Sequence, residues 1–148
     1  MNRREDGTIS LELVILAPVL IMLMMLMYAF GLYAQTESLV DQSARDAVRS
    51  ATQSRSAHEA DAKIRSTVDD TMSNAIAPCQ GSPQVSWHTT SGSFTAEPPI
   101  SRLPMNMVVV TVSCDVDLGD ATFLPFLGVT HVVSTFLSPL DTFRGYYS

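Results

Sequence analysis

The sequence predicts an α+β chain: a long amino-terminal helix, transmembrane in its first half and amphipathic in its second, with a small, mainly antiparallel β-sheet on its outer part. Three observations lead there. Leu13 to Tyr33 is an unbroken apolar run without a charge. Ala34 to Ala77 contains neither glycine nor proline, the two main helix breakers. Beyond Pro78 the chain turns rich in Gly, Ser, Thr and Pro and carries short alternating stretches.

The apolar run comes first. At about 1.5 Å per residue it reaches roughly 30 Å as a helix, the thickness of a bilayer core. It is too long for the hydrophobic region of an ordinary secretory signal, which spans about 7–15 residues. Pro18 lies inside it and removes one backbone hydrogen bond, so a local bend is expected there. Arg3 and Arg4 precede the run, and the next basic residue is Arg45. That asymmetry holds the amino terminus in the cytoplasm and sends the body outward. The methionines Met22, Met24, Met25 and Met27 give the run a soft surface, suited to lipid and to a helix bundle alike.

The second half of the helix follows. Leu39, Val40, Ala44, Ala47, Val48 and Ala51 recur at helical spacing, and Ala57, Ala60, Ile64, Val68, Met72 and Ile76 continue the stripe. Arg45, Asp46, Arg49, Glu59, Asp61, Lys63 and Arg65 fill the other faces. One helix from about Thr8 to Ala77 is expected, stopped at Pro78, with Ser50–Ser56 its weakest stretch, where a kink or fraying is left open.

Three strands are expected in the remainder. In one, Val85, Trp87 and Thr89 alternate with Ser86 and His88. The strongest pattern is MVVVTVSCDVDL, in which Val108, Val110, Val112, Cys114 and Val116 share one face. Val109, Thr111, Ser113, Asp115 and Asp117 share the other, which grows polar and should meet solvent. The third strand is Val129 to Leu137. Cys114 lies on the apolar face, and Cys79 follows the helix. The pair is either a bridge or two buried thiols. A bridge fits an extracytoplasmic setting, and closing a loop of that length contributes about 3–4 kcal/mol in the chain-entropy account.

Composition narrows the function. The net charge is −6, which argues against binding a nucleic-acid backbone. His58, His88 and His131 are far apart and lack metal-ligand spacing. No GxSxG, phosphate loop or Cys/His signature is present, so neither a catalytic site nor a small-molecule substrate or cofactor is expected. Asp115, Asp117 and Asp120 lack the spacing of a calcium loop and read as a solvated strand end. Phe123, Leu124, Phe126 and Leu127 in TFLPFLG read either as a plug at the end of the sheet or as a contact with a neighbour or the membrane.

Glu12 stands at the mouth of the apolar run, five positions after Gly7. A cut after Gly7 would make Thr8 a free amine with Glu12 one helical turn away. Ammonium and carboxylate could then neutralise one another, within one chain or between neighbours. A short charged leader, Gly, then Glu at the fifth position resembles the class III leader of type IV pilin-like proteins. The stretch from Gly7 to Arg49, with Ala17-Pro18, FGLYAQ and ARDAVR, resembles the TadE-like family of tight-adherence pilus systems; Ile9-Ser10-Leu11 departs from the small residues common there.

The resemblance implies a minor pilin or pseudopilin of a Flp-type pilus or related secretion apparatus. It implies cleavage between Gly7 and Thr8 by a prepilin peptidase, and a role for Glu12 in filament insertion. It further implies, as partners, other pilins and the assembly platform. The organisation expected is a leader (1–7), a transmembrane and assembly helix (8–33), an extracytoplasmic amphipathic helix (34–77) and a small β-rich extracytoplasmic domain (78–148). The expected location is the inner membrane, crossed once, with incorporation in a pilus left open. The competing reading is an uncut, anchored binding or adhesion module.

Overall fold

A computed structural model describes residues 5–73, 75–76, 79–94, 106–119 and 128–141. Within them the elements run α1 (Glu5–Thr52), α2 (Ala57–Met72), β1 (Gln84–Thr89), β2 (Met107–Asp117) and β3 (Val129–Pro139). The expected α+β architecture is present: a long apolar helix followed by an antiparallel sheet packed against it.

The expected single helix from Thr8 to Ala77 is not. It is interrupted after Thr52, and α2 folds back on α1 through a short connection. Side chains rather than glycine or proline make the break. Ser50 and Thr52 donate to the carbonyls of Ala47 and Arg49 at 2.8 and 2.9 Å, bonds that compete with the helical ladder. Ser54 is fully buried and donates through its hydroxyl to the carbonyl of Ser50, at 3.1 Å.

Ser56 then starts a new helix. Its backbone is extended, at φ −139° and ψ 158°, and its hydroxyl accepts from the Glu59 amide at 3.2 Å. The Glu59 carboxylate reaches back to accept from the Arg55 amide at 3.0 Å. This is a capping box displaced by one residue. The second helix stops at Met72 rather than Ala77, and Pro78, the expected stop, lies outside the described residues.

Folding back brings two half-stripes into one core. Val40, Ala44, Ala47 and Ala51 of α1 and Ala60, Ile64 and Val68 of α2 are fully buried. The alanines leave room for the helix backbones to approach closely. The sheet closes the core from the other side. Its order is β1-β2-β3, with both pairings antiparallel. Val108, Val110, Val112, Cys114 and Val116 are buried, as the alternation in β2 requires.

Polar contacts fix the sheet to the helices. Ser134 of β3 donates to Asp41 of α1 at 2.6 Å, and the Arg45 guanidinium lies 4.6 Å from the ring centre of Phe136. On the opposite edge, the Trp87 indole of β1 donates to Asp61 of α2 at 2.8 Å and meets Phe94 edge-on. Cys79 and Cys114 are joined, with Cα atoms 5.4 Å apart. The chain after the bridge is pinned to β2 again, because the Gln80 amide donates to the Asp115 carbonyl at 2.7 Å.

Candidate membrane and assembly segment

α1 divides into two zones by burial. From Ala29 onward one face is covered by the domain: Ala29, Leu32, Thr36, Val40, Ser43 and Ala44 are all buried. From Glu12 to Tyr28 the helix is bare: every residue is exposed but Ala17 and Leu26, which are half-buried. This is the one helix among the described residues long and apolar enough to cross a membrane. An apolar surface of this length, exposed on all sides, is the pattern of a helix whose solvent is lipid or other helices.

Glu12 sits exposed at the lower end of the bare zone, on the same face as Leu13, Leu16 and Leu20. Among the described residues no cation lies within ion-pair distance of its carboxylate. Gly7 and Thr8 lie in the first turns of α1, and Pro18 is accommodated inside it. At the upper end, Leu26, Ala29, Phe30 and Tyr33 of α1 line a recess of about 310 Å³ with Leu118 and Thr130 from the foot of the sheet.

The polar candidates stay apart from this segment. His58 is exposed on α2, and His88 is exposed on the outer face of β1. His131 meets Asp115 across the β2–β3 pair, on the outer face of the sheet, through its Nδ1. Among the described residues no three His, Cys, Asp or Glu side chains cluster as metal ligands would. The Asp117 carboxylate accepts from the side-chain Nε2 of Gln80 at 3.0 Å, which fits a solvated strand end. Asp120 and the TFLPFLG loop lie outside the described residues.

The perturbed groups lie on α2. Asp61 is held below the usual carboxylate range by its hydrogen bond from Arg65 and then by that from Trp87. Glu59 is lowered by the Arg55 amide and then by Lys63. Both shifts follow from structural contacts within α2 and from α2 to β1.

Residues 7–49 match the family described as TadE-like protein. The match covers 43 of the 148 residues, so the likeness to TadE-like proteins is that of this segment. The matched TadE-like segment begins at Gly7, includes Glu12, Pro18 and the whole bare zone, and ends within the part of α1 that the sheet covers. No match to a curated protein or to a solved structure was found. The feature missed in sequence reasoning was the helical hairpin. Its signal was Ser56-Ala57-His58-Glu59, a capping-box spacing hidden in a stretch without glycine or proline.

Proposed function

We propose that this protein is a membrane-anchored minor pilin or pseudopilin that takes part in building a Flp-type pilus or a related secretion apparatus. The observation that carries the reading is the coincidence of the TadE-like match with the bare apolar half of α1. A helix that leaves lipid for a filament needs such a surface, apolar all round and uncovered by its own domain. Arg3 and Arg4 on one side of the run favour a cytoplasmic amino terminus and an extracytoplasmic domain. The disulfide suits that compartment.

In this reading a prepilin peptidase cuts between Gly7 and Thr8. The new amine is neutralised by Glu12, of the same chain or of a neighbour. Glu12 has no partner among the described residues, so a charge supplied on assembly would lower the cost of drawing it into an apolar bundle. Other pilins and the assembly platform are the partners. Mass spectrometry of protein taken from cells with an active prepilin peptidase is expected to show a chain beginning at Thr8; an intact leader refutes processing. Glu12→Ala is expected to leave the outer domain folded and to impair assembly, and normal piliation removes the role given to Glu12.

A further inference from the structure

The covered zone of α1 begins before the apolar run ends. Ala29 and Leu32 belong to the uncharged stretch, yet they are 2% and 4% exposed, because the domain lies over them. From Glu12 to Tyr33 the helix rises about 30 Å, one hydrocarbon thickness. From Glu12 to Tyr28, the bare part alone, it rises about 24 Å. A domain held clear of the bilayer would therefore leave the span about one turn short. Tilting the helix shortens its reach further.

The residues at this level are those of a membrane interface. Tyr28 and Phe30 are exposed, and Tyr33 lies one turn above. The foot of the sheet stands at the same height, since Leu118 and Thr130 share a recess with Leu26, Phe30 and Tyr33. Val129, the first residue of β3, is 55% exposed beside it. An apolar recess and an exposed valine continuous with a lipid-facing helix surface match one solvent, the outer boundary of the bilayer.

We propose that the foot of the sheet, at Leu118 and Val129–Thr130, is seated in the interfacial layer of the membrane, with the recess against α1 open to lipid chains. The domain is then a body resting on the bilayer rather than a head on a stalk. This rests on the reading of α1 as a membrane span.

Single free cysteines test it in the full chain, reconstituted in phosphatidylcholine–phosphatidylglycerol vesicles and spin-labelled. Three exposed sites are used: Met24→Cys in the middle of the span, Val129→Cys at the foot and Leu137→Cys at the far end of β3. Leu137 lies about 27 Å along the strand from Val129. Collision with oxygen relative to a water-soluble nickel chelate is measured at each. The ratio at Val129 is expected to exceed that at Leu137 several-fold and to approach that at Met24. Equal, water-like ratios at Val129 and Leu137 with a lipid-like Met24 overturn the seating alone. A water-like Met24 overturns the span, and the seating with it.

Discussion

Ile64→Ala is the sharpest test of the helical hairpin. Ile64 is fully buried, on the face of α2 turned to the core. The substitution removes three methylene-sized groups, worth about 2.4 kcal/mol at roughly 0.8 kcal/mol each. Partial collapse of the cavity adds between a few tenths and about 2 kcal/mol, so a loss of about 3–4 kcal/mol is expected. That is a large share of the stability of a small domain, about 5–15 kcal/mol at most. Had α1 run straight on, Ile64 would lie about 20 Å beyond Ala51, past the sheet and in water, and the change would cost under about 0.5 kcal/mol. The two geometries thus differ several-fold in a single number. The assay is urea unfolding of the full chain in detergent micelles with the disulfide intact, followed by the fluorescence of Trp87, the only tryptophan. Leu23→Ala, on the bare part of α1, is the control and should leave the midpoint unchanged. A loss below about 1 kcal/mol for Ile64→Ala would refute the packing of α2 in the core.

Other outcomes follow from the same contacts. Ser56→Ala removes the cap of α2 and should cost about 1 kcal/mol by the same unfolding assay, because it leaves the Glu59 amide without its acceptor. Replacing Cys79 and Cys114 together by Ser should lower stability by about 3–4 kcal/mol, and non-reducing peptide mapping of the parent should recover the two cysteines in one linked pair. Asp61 has a folded-state pKa lowered by Arg65 and Trp87, so its contribution is complete above its ordinary value of 3.8 and is lost as pH falls through the lower folded value. Asp61→Asn keeps an acceptor for the indole and loses the charge; its unfolding midpoint should therefore fall less steeply below about pH 4 than that of the parent.

Most of the architecture was legible because it rests on periodicity. The alternation from Val108 to Val116 names the inner face of β2, and the burial of each of those residues follows from it. The same holds for Val40, Ala44 and Ala47 on α1 and for Ile64 and Val68 on α2. What periodicity could not reveal was that these are two helices. A stripe continues in register across a break when the break is short, and nothing from Ser50 to Ser56 is a strong breaker. The turn is made by hydroxyls competing for backbone groups, and only the Ser56-to-Glu59 spacing betrays it. The bare zone was equally legible, since an uncharged run declares itself. Its upper limit was not, because the covering of Ala29 and Leu32 depends on where the sheet docks, a long-range property.

The direction of β3 relative to α1 limits how copies of the chain can meet. Thr130 lies level with Tyr33, Ser134 bonds Asp41, and Phe136 stacks under Arg45, so strand and helix run the same way. Among the described residues β3 is an edge strand, and it exposes Val129, Val133 and Leu137. Antiparallel pairing of two β3 strands about Val133 would set Val129 opposite Leu137 of the second copy, an apolar match on each side. Such exposed edges ordinarily need charge, proline or a bulge to keep them apart. Here the pairing would also turn the second α1 upside down. Two chains that enter one bilayer in the same sense cannot adopt it. If α1 spans a membrane as proposed, insertion would protect an edge that stays open among the described residues, and would leave lateral association in one bilayer to the bare face of α1.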